Sequence, residues 1–222
     1  MDQLTGAEPH YNGGDYNADT GIMAAHNCYD YALNHFDPDQ IDRSQPGLRY
    51  LKNLMPNNNY SCDKMERRLK LDHPEIYISN RATDCKSGFR KIAMVIDDDK
   101  DYHFLRQDAD GSWSHKPGSG RATNKDFSGN RIYNPEPSAI DLNNEKDGLD
   151  YQVFCNYYCI DEDDGHFAEF AKNSRLRNGD PTPEYSNDKY GALLLNDKTV
   201  NDSKLTFWQR VTKIVKKDKA KR

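Results

Sequence analysis

Apolar residues fall in short, separated runs whose periods change along the chain. From Ile22 to about Asn34 they recur at helical spacing (Ile22, Met23, Ala25, Tyr29, Ala32, Leu33), which predicts a helix. Asn27 is placed as an N-cap within that stretch, so Cys28 falls in a first helical turn. Gln45-Pro46-Gly47 reads as a turn. Tyr60 to Leu71 reads as a second helix, started near Ser61 or Asp63 and carrying Met65, Leu69 and Leu71 on its apolar side. Asp84 to Gly88 is a break.

Past that break the pattern becomes that of strands. Lys91 to Asp97 is nearly continuous in apolar residues, the mark of a strand buried on both faces. Asp98 to Lys100 turns the chain into a second strand, Asp101 to Gln107. Asp108-Ala109-Asp110-Gly111 is a strong turn signal, and Ser112 to Lys116 returns, closed by Pro117-Gly118. Tyr151 to Ile160, rich in aromatic and β-branched residues, predicts another strand, ended by the acidic run Asp161 to Asp164.

Helices segregated from an antiparallel meander give an α+β fold. The expected organisation is an irregular N-terminal arm (1–20), an α+β domain (21–171), a loop-rich linker (172–202) and a basic amphipathic helical tail (203–222). On one face of that tail lie Leu205, Trp208, Val211 or Thr212, and Val215.

Composition refines this. The chain has 222 residues, of which 35% are hydrophobic and 30% charged, enough for one domain with extensions. No run approaches the roughly 18 apolar residues of a membrane span. The polar, Gly-rich start lacks the basic-then-apolar pattern of a secretory signal. Residues 203–222 hold eight Lys and Arg against one Asp, a balance of +7, while the other 202 residues hold 23 basic and 35 acidic groups, a balance of −12. The tail is therefore expected to seek an anionic surface, whether an acidic protein face or, non-specifically, nucleic acid.

Five cysteines (Cys28, Cys62, Cys85, Cys155, Cys159) are an odd number at irregular spacing. That reads as a reducing, intracellular setting rather than a disulfide framework. Cys155 and Cys159, four apart on a strand, are expected on one face. Zinc there would need further ligands from Cys62, Cys85 or His73, and the spacing is not that of a zinc knuckle. Asp97, Asp98, Asp99 and Asp101 lack the pattern of a calcium loop. With no phosphate-cradling or dinucleotide fingerprint, no cofactor or metal is expected.

Cys28 is the candidate nucleophile. A helix start lowers a thiol's pKa and offers free N–H groups to an oxyanion. Such a thiol needs a histidine within reach and a third group to orient it. His103 and His115 are the candidates, one on each strand of the hairpin. A four-residue loop is read as placing His115 opposite Phe104, and a five-residue loop as placing it opposite His103. Histidines on one face could act as base and orienter. On opposite faces they could not both serve.

The blocks Asn27-Cys28-Tyr29-Asp30-Tyr31-Ala32, Gln45-Pro46-Gly47, Tyr102 to Gly118 (with Trp113-Ser114-His115-Lys116-Pro117-Gly118), and Phe154-Cys155-Asn156-Tyr157-Tyr158-Cys159 together resemble a cysteine-protein family of bacteria, phages and large DNA viruses. The likeness covers about residues 22–160. The order of Cys and His also resembles the papain-like NlpC/P60 superfamily, although a Gly-His strand start before His103 is missing. That resemblance implies a papain-like domain with Cys28 as nucleophile, His103 as base and His115 as orienter. It implies a cysteine hydrolase acting on peptide, amide or ester bonds. The alternative reading is a non-catalytic structural protein on the same fold, such as a minor capsid or virion component. It would meet its neighbours through the arm and tail, and would reside in the virion rather than the cytoplasm.

Overall fold

A computed structural model of the chain describes residues 4–48 and 60–161. The expected linker, the basic tail and most of the acidic run after Asp161 lie outside the described residues.

The helical pattern of 22–34 resolves into two short helices, α2 (Thr20–Ala25) and α3 (Cys28–Ala32), with α1 (Gly13–Tyr16) before them. The interruption is the cap itself. Asn27 is extended, and its side chain accepts hydrogen bonds from the Tyr29 and Asp30 amides, while the Asp30 carboxylate accepts from the Asn27 amide. This reciprocal box fixes where α3 begins. Replacing Asn27 by Ala is expected to cost about 1–2 kcal/mol, because the bond from Asn27 Nδ2 to the Ser44 carbonyl goes with it. A shift in denaturant midpoint measures this, and an unchanged midpoint would deny the cap its role. The second predicted helix is α4 (Cys62–Asp72).

Among the described residues, five strands form one antiparallel sheet in the order β1-β7-β2-β3-β4. They are β1 (Tyr77–Ser79), β2 (Phe89–Asp97), β3 (Asp101–Gln107), β4 (Trp113–His115) and β7 (Val153–Asp161). A small hairpin, β5 (Asn143–Asn144) with β6 (Leu149–Asp150), forms a separate two-stranded sheet. β2 is buried along almost its whole length because both sides of the sheet are covered. On one side Ile92, Met94, Ile96, Phe104 and Tyr158 meet Cys28, Tyr29, Met65 and Leu69 of α3 and α4. On the other, Ala93, Val95, Leu105, Trp113 and Tyr157 meet Ile132, Leu142 and Tyr151. The uninterrupted apolar run of β2 is what such double burial requires.

The residues read as an arm belong to the domain. Thr5 Oγ1 donates to the Phe89 carbonyl, the Ala109 amide to the Pro9 carbonyl, and Tyr16 is fully buried. The guanidinium of Arg106, itself completely buried, donates to the carbonyls of His10 and Tyr31, the side-chain oxygens of Asn12 and Asn34, and Asp108. A polar segment with no apolar period is thus held by hydrogen bonds, two of them from one buried charge. The Gln45-Pro46-Gly47 turn is docked similarly. The Gly47 amide donates to Asp72 and Arg68 Nε to the Pro46 carbonyl. Gly47 has φ +69, and a Cβ there would meet Arg68 Cβ at 3.0 Å, so both conformation and space require glycine.

The cysteine reading is corrected. Cys62 is bonded to Cys155 and Cys85 to Cys159, leaving Cys28 as the free thiol. An odd count concealed two bridges and one spare thiol. Nor do Cys155 and Cys159 share a face. The β2–β7 register slips between Met94 and Val95, which face Asn156 and Phe154, so Cys155 is the extra residue of a bulge. The bulge reverses the alternation. Cys155 packs with Cys62 against the helical side of the sheet, while Cys159 shares by alternation the side of Tyr157. The two disulfides therefore grip β7 from opposite faces. Zinc at these cysteines is ruled out while they are so bonded.

Candidate functional site

Cys28 is the first residue of α3, as expected, but its surroundings are those of a core residue. It is 5% exposed, and its Sγ lies 3.9 Å from the Tyr102 carbonyl. Burial, reinforced by the Asp101 carboxylate, pushes its pKa up to about 12, the opposite of thiolate activation. Two amides of the helix start are also already engaged: those of Tyr29 and Asp30 donate to Asn27 Oδ1 at 3.0 and 3.1 Å.

The hairpin does bring the two histidines together, by a route the sequence reading misjudged. Asp108–Ser112 is a five-residue loop closed by the Asp108 amide on the Ser112 carbonyl, with Gly111 at φ 80. Gln107 faces Trp113, so Leu105, not His103, faces His115. His103 and His115 are diagonal neighbours on one face, close enough for long side chains to meet. His103 Nε2 and His115 Nδ1 are 2.7 Å apart, and both rings are 1% exposed. His115 Nε2 lies 2.9 Å from the Lys125 carbonyl. A carbonyl only accepts, so His115 carries its proton on Nε2. Its bare Nδ1 then accepts from His103 Nε2–H. The Tyr151 ring lies tilted against His103, centroids 5.1 Å apart, and its hydroxyl donates to Asp101. Burial lowers the pKa of both histidines, to about 4 for His115 and well below its usual value for His103, which the neighbouring His115 depresses further.

Cys28 and this pair are on opposite sides of the sheet. Tyr102 and Phe104 point toward Cys28 and the helices. His103 and Leu105, one residue out of phase, point the other way, toward Tyr151 and Trp113. The expected constellation of Cys28, His103 and His115 is therefore divided. The histidines meet each other, and β3 stands between them and the thiol. An imidazole cannot take a proton from a thiol across a strand.

Sequence reasoning missed buried cations on the helical side of the sheet. Besides Arg106 there is Lys116, whose Nζ donates to the carbonyls of Met23, His26 and Gly118. It thereby satisfies carbonyls at the end of α2. Burial lowers its pKa to about 8. The signal was that Arg106 continues the phase of Tyr102 and Phe104, the side of β3 that faces the helices. Among the described residues no group of three or more His, Cys, Asp or Glu is placed to hold a metal.

The chain is 35% identical over 118 residues to insoluble matrix shell protein 1 of Ruditapes philippinarum, a match spanning 51% of this chain and 70% of that protein. The chain belongs to the insoluble matrix shell protein 1 family. No protein-family profile matches it, and no solved structure does. This member of the shell-protein family thus presents a double-faced sheet, two disulfides, a buried thiol and a buried histidine pair. Among its described residues no helix is long and apolar enough to cross a membrane.

Proposed function

We propose that this chain is a non-catalytic structural component of an extracellular protein matrix. The observation that carries the reading is the pair of disulfides in a chain akin to an insoluble shell-matrix protein. Disulfides persist in oxidising, secreted settings and are rare in the cytosol, which favours the matrix over the intracellular location expected from cysteine spacing. The structural alternative weighed from the sequence, a building block that meets neighbours, is kept. A virion is replaced by a secreted matrix as the assembly. The histidine pair serves the interior, and the free thiol fills a core position, the ordinary fate of an unpaired cysteine.

A cysteine hydrolase of NlpC/P60-like type remains the second reading, favoured by the placement of Cys28, the one unbridged cysteine, at a capped helix start. Alkylation separates the two. With iodoacetamide at pH 7, Cys28 in the native chain is expected to stay unmodified for hours and to react at once in denaturant. Peptide mapping without reductant is expected to recover the 62–155 and 85–159 bridges. Fast native alkylation of Cys28, lost in His103→Ala or His115→Ala, would sink the structural reading and restore the hydrolase.

A further inference from the structure

We propose that the His103–His115 pair is an acid-sensitive latch that holds the Thr123–Ile132 segment against the sheet and releases it when the pair takes up protons.

β4 is the last strand of the sheet, and the Thr123–Ile132 segment covers its outer edge through isolated bridges, Trp113 with Ile132 and His115 with Thr123. His115 is the centre of that attachment. Its amide donates to the Thr123 carbonyl, its carbonyl accepts from the Thr123 amide, and its ring donates to the Lys125 carbonyl. The ring's other nitrogen is held by His103. Ring orientation, tautomer and strand edge are therefore fixed together.

The arrangement holds only for neutral rings. One added proton can sit on the far nitrogen of His103 without breaking the shared bond, but it places a cation in an apolar layer. A second proton puts N–H groups on both facing nitrogens, 2.7 Å apart, where donor meets donor and charge meets like charge. The surroundings offer little relief. From β2 the residue opposite His103 is Val95. From the covering segment Phe127 packs edge-on to His115, and Asp126 favours its charged form but already accepts from the Asn130 and Asp141 amides. Asp101 accepts from the Tyr151 hydroxyl, and Asp97 accepts from Lys100 and the Asp150 amide.

The linkage has a definite sign. The folded rings titrate below their unfolded value, so the latched state binds fewer protons than the opened one. The latch is intact above about pH 6.5 and weakens as pH falls below it. Each proton taken up on opening multiplies the opening equilibrium about tenfold per pH unit, so two give about a hundredfold.

Hydrogen exchange on the full chain between pH 7.5 and 4.5, corrected for intrinsic exchange, tests this. The amides of Trp113, His115 and Thr123, which bond between β4 and the segment, are expected to lose protection on acidification, with a slope between one and two protons, while β2 and β7 stay protected. His103→Gln, which keeps a donor toward His115 without titrating, is expected to reduce that slope to about one proton. Opening that is independent of pH, loss of protection at β2 and β7 at the same pH, or an unchanged slope in His103→Gln would each overturn the latch. If His103→Gln does not fold, imidazole nitrogen resonances of the unmodified chain decide. Both rings must be neutral at pH 7, with His115 protonated on Nε2, and must gain protons only as protection is lost. Protonation with the segment still protected would also overturn it.

Discussion

Removing either disulfide is expected to destabilise the domain by about 2–5 kcal/mol, and removing both to unfold it. The bridges join residues 93 and 74 positions apart in sequence. In the chain-entropy account, loops of this length confine the unfolded state strongly, by about 4.5 kcal/mol each, and measured values run somewhat lower. The loops overlap, since Cys85 lies inside the span from Cys62 to Cys155, so the second closure confines a chain already confined. The combined loss should fall short of the sum. It still rivals the roughly 5–15 kcal/mol that holds a domain together. The grip on β7 has a packing side as well. One bridge ties the strand to α4 and the other ties it to the loop before β2, so each single loss frees one face of a strand that lies between β1 and β2. Guanidinium titrations of Cys62→Ala/Cys155→Ala, Cys85→Ala/Cys159→Ala and the quadruple variant measure this. Pairwise variants within about 0.5 kcal/mol of the parent, the range of inert surface changes, would show the bridges to be ornaments of the fold.

What could be read in the sequence was what depends on local pattern. Lys91 to Asp97 declared a doubly buried strand because every position of that run faces a covered side. Asn27 declared a helix start because a cap is a contact between near neighbours. The hairpin between His103 and His115 was legible from Asp108 to Gly111 for the same reason. The misread features depend on contacts distant in sequence. β1, three residues long, exists by pairing with β7 some 80 positions later. The Thr5–Asn17 segment has no period of its own and is ordered by Arg106 about 90 residues away. The cysteine pairing needed the bulge at Cys155, which no spacing rule reveals, and without it Cys155 and Cys159 seemed placed on one side. The candidate site failed on one step of alternation. Placing Cys28 and His103 in one constellation required His103 to share the phase of Tyr102 and Phe104, and a period of two forbids that.

Replacing Arg106 by Met is expected to cost about 3–5 kcal/mol and to release the N-terminal segment before the sheet unfolds. Methionine keeps the apolar stem and loses the guanidinium, which lies 4.0 Å from the centre of the Tyr31 ring and 3.1 Å from Asp108. Asp108 is 1% exposed, so the variant strands a buried carboxylate, the situation that makes breaking one half of a buried ion pair so costly. The acceptors of His10 and Asn12 lose the guanidinium as donor, at a desolvation cost, while the Tyr31 carbonyl keeps the Asn34 amide and Asn34 Oδ1 keeps Asn12 Nδ2. Lysine would not rescue the site, since one ammonium cannot reach acceptors spread over three segments. Two further measurements distinguish lost charge pairing from lost packing. Arg106→Met/Asp108→Asn removes the stranded charge and should recover part of the loss. Burial already raises the Asp108 pKa, and Arg106 opposes that rise. Without the guanidinium it climbs further, so the variant's folded state holds its proton to higher pH. Its deficit against the parent should then be largest near neutrality and narrow as pH falls through the carboxylate range. Limited proteolysis within residues 5–17 at neutral pH reports the released segment. A variant that loses stability with those residues still protected, and with no recovery on adding Asp108→Asn, would place the role of Arg106 in its stem and not in its charge.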